Sequence, residues 1–259
     1  MPDASSNPPR ARGRLALAAL AVSVGAFALY FLSTGPDPFP GPPSAGLLEH
    51  LGLDPLHPAV LDPLWGAVVR AADRFAPGRL AFALNLFSAA CAALALAVLA
   101  LLATLLPYEI AVPDATGALA RRERRARLLF GLASALYLAA TVPFFVAATR
   151  SLPAAFHELI FLLALAGSLA AFRSRRVLPP LLLGLFLGAA SVEFAAVYVL
   201  LALFPVALVR ARLAFFADDD PPPLLPRLSA FLVSAFAGWA LALAQLGRAS
   251  CREREEISV

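Results

Sequence analysis

The side chains most able to take part in chemistry are concentrated between residues 33 and 79. This segment holds two of the three histidines of the chain and five carboxylates. The candidates among them are Asp37, Glu49, His50, Asp54, His57 and Asp62; the fifth carboxylate, Asp73, belongs to the polar face of a helical pattern. Carboxylates serve as general bases, and with histidine they bind metal ions. His50 and His57 are seven residues apart across a Pro-containing turn, which matches no established ligand spacing. We therefore expect solvated or helix-capping residues here rather than a metal site.

Other carboxylates lie in or beside apolar runs. Ionisable groups at membrane depth are costly, which makes Glu158 and Glu193 functional candidates. The alternative for each is that it reaches the polar headgroup region, where it costs little. The acidic run at 218–220 resembles a Mg²⁺–diphosphate site, but three prolines follow it, which favours an exposed turn.

Composition indicates the class of protein that carries these residues. Of 259 residues, 61% are hydrophobic and only 15% are charged, and mean hydropathy is +0.79. A soluble domain is nearer half apolar and a quarter charged, so a single soluble domain is excluded. The sequence predicts an all-α polytopic membrane protein. Cys91 and Cys251 do not indicate a disulfide.

Apolar runs predict about seven transmembrane helices. They are 15–32, 80–106, 128–148, 158–172, two short arms of a hairpin within 177–209, and 228–246. A cleaved signal peptide is the alternative for the first run, but that run is long and no small-x-small cleavage site is evident. Ser191 and Glu193 are expected near the outer tip of the hairpin.

The arginines predict the orientation of these spans. All 21 basic residues are Arg. In this topology fourteen of them are cytoplasmic, including those of the basic terminus 1–14, and four face outwards: Arg70, Arg74, Arg79 and Arg150. The amino terminus is therefore expected inside. Arginine without lysine, among abundant Ala, Leu and Pro, suggests a GC-rich bacterial genome. The net charge of +4 needs no nucleic-acid partner, because orientation explains it.

The first outer loop, 33–79, is expected to carry interfacial helices. Ser44 is a plausible N-cap for a short first helix. In the second helical pattern Leu64, Trp65, Val68 and Phe75 share an apolar face. Such a helix lies along the membrane surface, and Trp65 suits the depth of the headgroups.

Several stretches resemble the bacterial membrane family related to protein O-mannosyltransferases, domain of unknown function 2723, within the GT-C class of glycosyltransferases. The stretches are His50-Leu51-Gly52-Leu53, His57-Pro58, Pro63-Leu64-Trp65, the run 79–94 with its Asn85-Leu86-Phe87-Ser88-Ala89 core, and the Glu158-led run to Leu165. The resemblance covers about residues 15–246, which we take as a GT-C-like transmembrane domain.

The resemblance implies sugar transfer from a polyprenyl-phosphate donor to an acceptor on the extracytoplasmic face. Glu158 keeps the position of a family acid and is the first catalytic candidate. The family's Asp-x-Gly-Glu motif falls on Pro40-Gly41-Pro42-Pro43, which carries no acid, and Asp37 lies three residues before it as the second candidate. Candidates for substrate binding are Arg150, which could pair with a lipid phosphate, together with His57 and Asp54.

Because the acidic motif is missing, an alternative function stays open: a non-catalytic polytopic membrane protein that acts in transport or envelope assembly. The partners expected on the first reading are the lipid bilayer and a lipid-linked sugar. Residues 247–259 look like a translated sequencing adaptor, so we expect the natural chain to continue differently after Leu246.

Overall fold

A computed structural model describes residues 9–35, 51, 62–105, 118–174, 176–214 and 224–257. All regular secondary structure in these ranges is helical. The helices are α1 (Pro9–Ser33), α2 (Pro63–Phe75), α3 (Leu80–Leu105), α4 (Ala118–Ala140), α5 (Val142–Thr149), α6 (Ala154–Arg173), α7 (Leu178–Ala190), α8 (Ala196–Ala214) and α9 (Leu224–Ile257). This architecture is consistent with the predicted all-α class.

Three helices are long and apolar enough to cross a membrane: Leu80–Thr104, Ala154–Phe172 and Leu224–Ala244. A fourth candidate is α4 with α5, which bend by 72° at Thr141. Pro143 explains the break, because proline cannot donate the backbone hydrogen bond that would continue α4. The described residues thus support three or four spans by this measure rather than seven.

The remaining apolar helices are short. The apolar part of α1 is Leu17–Ser33, and α7 and Ala196–Val209 are shorter still. At 1.5 Å per residue, the 13 residues of α7 cover about 20 Å, less than the hydrocarbon core of a bilayer. The chain does break between α7 and α8, at residues 191–195, where the sequence predicts the tip of a hairpin.

The chain divides into two compact units. The first comprises the described residues of Met1–Leu47 and Ala71–Leu159, and the second those of Leu48–Arg70 and Ile160–Val259. In the first unit α3 packs against α1, α4 and α5. Its Ala-rich surface lets neighbours approach closely: Gly131 of α4 lies against the backbone carbonyl of Ala100. The fully buried ring of Tyr30 packs against Phe144 and Phe145.

The second unit is built around the pair α7 and α9. Gly184 and Gly188 on α7 have the GxxxG spacing, and Ser234 and Gly238 repeat it on α9. A Cβ at Gly188 would collide with the backbone of Ala235, and one at Gly238 with that of Leu185. These two helices therefore meet backbone to backbone, which only small residues permit.

Candidate functional site

The structure describes two of the five residues predicted from the sequence to form the site. Arg150 follows the last turn of α5, and Glu158 lies in the second turn of α6; both are half-buried. The Glu158 carboxylate has no hydrogen bond or ion pair with another described residue. Asp37, Asp54 and His57 lie outside the described residues, as do Glu49, His50 and the acidic run 218–220.

The start of α2 brings carboxylates together in the second unit. Asp62 and Pro63 form a local helix-start signal, since Asp is a favoured N-cap and Pro a favoured first helical residue. The Asp62 carbonyl accepts the first helical hydrogen bond, from the Gly66 amide at 2.9 Å. Asp62 itself has φ of 59°, the left-handed conformation that Asp tolerates better than most residues.

Glu193 supplies the cap of this helix from far along the chain. Its carboxylate accepts the backbone amide of Leu64 at 2.6 Å and that of Trp65 at 2.9 Å. The first amides of a helix have no partner within the helix, and the amino end carries partial positive charge. A carboxylate satisfies both requirements through charge-assisted hydrogen bonds. This explains how Glu193 can be only 4% exposed.

The turn between α7 and α8 positions Glu193. The α7 helix ends at Ala190, and the amides of Ser191 and Glu193 bond back to the carbonyls of Leu187 and Ala190. The Ser191 hydroxyl donates to the Gly188 carbonyl at 2.7 Å. The turn is thus tied to the carboxyl end of α7, and α7 is fixed against α9. The carboxylate of Glu193 is consequently presented from a well-anchored backbone.

Two carboxylates meet at the amino end of α2. A carboxylate oxygen of Asp62 lies within 4.8 Å of one of Glu193. Both Glu193 oxygens accept α2 amides, so Glu193 has a structural task, whereas Asp62 is half-buried at the start of the helix. A half-buried acid beside a second carboxylate is partly shielded from water, which makes it a candidate general base. Asp62 is therefore the acid that this geometry favours.

Trp65 is buried within the protein. The amphipathic helix expected near 61–75 is present as α2, but Trp65 is 3% exposed, and Gly66 and Val69 beside it are also buried. The amino-terminal part of this helix, which the Glu193 carboxylate caps, is buried within the protein, whereas Phe75 at its carboxyl end is exposed. Trp65 thus contacts protein rather than lipid, and its position at headgroup depth stays a prediction.

Polar residues of the Asn-Leu-Phe-Ser-Ala stretch organise the first unit. Asn85 is buried and donates through Nδ2 to the Gly35 carbonyl at 3.1 Å, just after the end of α1. One turn later, buried Ser88 donates a longer hydrogen bond, 3.4 Å, to the Leu152 carbonyl. Between them Phe87 packs on Phe156 of α6 with ring centroids 5.8 Å apart. The stretch thus ties α3 to two interhelical segments.

Arg227 performs a related task in the second unit. It is buried near the start of α9, and Nη2 donates to the carbonyls of Ala171 at 2.7 Å and Phe172 at 3.3 Å. These carbonyls belong to the last turn of α6, where partial negative charge favours a cation. Arg227 is one of the fourteen arginines that the predicted topology assigns to the cytoplasm, and nothing in its sequence context indicates this contact.

Sequence reasoning also missed the pairing of Glu193 with α2. The Asp62–Pro63 pair indicates a local cap, and nothing local indicates an acceptor 128 residues away. The available signal was a single acid in a break between two short apolar helices.

Comparisons with protein-family models, with curated proteins and with solved structures give no match for this chain.

Proposed function

We propose that this chain is a GT-C-like membrane glycosyltransferase, which transfers a sugar from a polyprenyl-phosphate donor to an acceptor hydroxyl. The proposed topology has seven membrane-embedded helices in a bacterial inner membrane, with the amino terminus inside and α2 on the extracytoplasmic side. The observation that carries the proposal is the carboxylate pair of Asp62 and Glu193 at the amino end of α2. Two backbone amides hold Glu193 in the turn between the apolar helices α7 and α8, and the Asp62 carboxylate lies beside it.

The proposed chemistry assigns different tasks to the two acids. Glu193 fixes the start of α2 through the Leu64 and Trp65 amides. Asp62 accepts the proton of the acceptor hydroxyl, whose oxygen bonds to the anomeric carbon while the bond from that carbon to the lipid phosphate breaks. General-base catalysis of this kind typically contributes about 10²–10⁴-fold to the rate. Glu158 is the rival base, because it keeps the position of an acid in the family that the sequence resembles.

A second candidate function is a non-catalytic membrane protein in transport or envelope assembly. The observation favouring it is that both oxygens of Glu193 accept backbone amides, which is a structural use of a buried acid. On this reading the pair stabilises a helix junction and Asp62 has no role in a reaction.

Sugar transfer in proteoliposomes tests the proposal. With several polyprenyl-phosphate sugars as donors, we expect Asp62→Asn to lower the transfer rate at least tenfold while leaving the yield of folded protein unchanged. Asp73→Asn is the matched control, since Asp73 is an exposed acid on the same helix. A tenfold loss in Glu158→Gln with normal activity in Asp62→Asn would assign the base to Glu158. No transfer by the unsubstituted protein with any donor would favour the non-catalytic reading.

A further inference from the structure

The connection from α2 to α3 exposes an aromatic ring between two arginines. Phe75, the last residue of α2, is 85% exposed. Arg74 precedes it and Arg79 follows four residues later; both are exposed. Neither guanidinium has a hydrogen bond or ion pair with another described residue. We call residues 74–80 the 74–80 junction.

The backbone of the 74–80 junction is well defined. The Ala76 amide bonds to the Ala72 carbonyl at 2.9 Å, and the Arg79 amide to the Ala76 carbonyl at 3.0 Å. Gly78 has φ of 78°, a conformation that glycine adopts without strain, and it lets the chain leave α2 and start α3 at once. Arg74 and Phe75 at the end of α2 and Arg79 before α3 therefore flank a tight turn.

The position of the 74–80 junction along the chain fixes its depth. Arg79 immediately precedes Leu80, the first residue of the most hydrophobic candidate span, Leu80–Thr104. The polar residue next to the first residue of a span lies at the headgroup level of the bilayer. Arginine there extends its charged end towards phosphate while its stem contacts acyl chains, and an exposed aromatic ring lies at the same boundary.

The charges of this segment favour an anionic partner. Residues 70–79 hold three arginines and a single acid, Asp73. Arginine binds phosphate through paired hydrogen bonds, and anionic lipids attract basic segments beside membrane spans. We propose that the 74–80 junction binds the phosphate headgroups of anionic phospholipids, with Arg74 and Arg79 on the phosphates and Phe75 at the acyl boundary. This inference does not depend on the proposed function.

Local lipid enrichment tests the proposal. A bimane fluorophore on Ala71→Cys, with Cys91→Ser and Cys251→Ser, lies at an exposed site one helical turn before Phe75. In phosphatidylcholine proteoliposomes, doxyl-labelled phosphatidylglycerol and doxyl-labelled phosphatidylcholine are compared as quenchers at equal mole fraction. We expect phosphatidylglycerol to quench at least about twofold more strongly, and the excess to disappear in 0.5 M salt because salt screens charge.

The variants locate the effect at the junction. The quenching ratio is the quenching by phosphatidylglycerol divided by that by phosphatidylcholine. The double substitution Arg74→Gln with Arg79→Gln should bring this ratio close to one, as 0.5 M salt should. Arg122→Gln with Arg125→Gln, a matched pair of exposed arginines on α4, should leave it unchanged. A ratio of one in the protein with both arginines intact would overturn the proposal. So would a ratio that stays high in Arg74→Gln with Arg79→Gln, or one that Arg122→Gln with Arg125→Gln lowers equally.

Discussion

In the first unit one helix, α3, is surrounded by others, whereas in the second unit two helices, α7 and α9, meet along a single stripe of small residues. In an apolar 18-residue stretch of Leu80–Thr104, 56% of the residues are buried, against 22% in such a stretch of Leu224–Ala244. Yet the less buried helix makes the closer contact, because Gly184, Gly188 and Gly238 bring the two backbones together. Burial alone therefore does not show where a helix is most sensitive to substitution.

The two units also differ in how polar groups fix their interhelical segments. The first unit uses neutral groups, Asn85 and Ser88, each donating to one backbone carbonyl. The second uses ionisable groups at helix ends: Glu193 at the start of α2 and Arg227 at the end of α6. Hydrogen bonds that involve a charged group are worth about twice as much as neutral ones. Substitutions should consequently be more damaging in the second unit.

The largest effect is expected for Gly188→Leu. The new side chain would collide with the backbone of Ala235, which cannot move aside as a flexible side chain would. We expect a loss of about 3 kcal/mol in the free energy of unfolding in detergent, towards the upper end of the effects of overpacking. Gly25→Leu on α1 is the control, since nothing lies within 4 Å of a Cβ there. Equal stability of the two variants would disprove the backbone contact of α7 with α9.

A smaller effect is expected for Arg227→Met. Methionine keeps the apolar stem but removes the donors to the carbonyls of Ala171 and Phe172. Charged hydrogen bonds are worth about 1.5–3 kcal/mol, so we expect a loss of about 2 kcal/mol in the same unfolding measurement. Arg176→Met, which removes an exposed arginine, should change stability little. A loss no greater than that of this control would mean that Arg227 does not stabilise the end of α6.

The smallest effect is expected for Asn85→Leu. The neutral hydrogen bond to Gly35 is lost, and membrane-protein bonds of this kind average about 0.6 kcal/mol. Hydrogen exchange of the segment after α1 should rise while global stability falls slightly. Thr104→Val is the control, because the Thr104 hydroxyl bonds within its own helix, to Leu101. If Asn85→Leu destabilised the protein as much as Arg227→Met, the contrast between neutral and charged contacts would be wrong.

Sequence periodicity predicted the helical class, the amphipathic helix α2 and the break before α8, because these depend on local apolar patterns and on turn residues. It did not predict the bend at Thr141 or the length of each span. The stripe at Gly184 and Gly188 carried a recognisable spacing, but its partner on α9 lies about 50 residues away. The Glu193 cap was beyond prediction, since helix capping is ordinarily a local property and here the acceptor comes from another part of the chain.

The amides of Leu64 and Trp65 provide the most direct test of the Glu193 cap, on which the proposed position of Asp62 depends. Site-resolved hydrogen exchange compares the unsubstituted protein with Glu193→Gln and with Glu158→Gln, whose carboxylate has no bond to a described residue. Glutamine keeps one oxygen acceptor without charge, and its amino group cannot accept a hydrogen bond. We therefore expect at least tenfold faster exchange of at least one of the two amides in Glu193→Gln alone, since about 1.4 kcal/mol corresponds to a factor of ten. Unchanged exchange in Glu193→Gln, or an equal increase in Glu158→Gln, would contradict the cap.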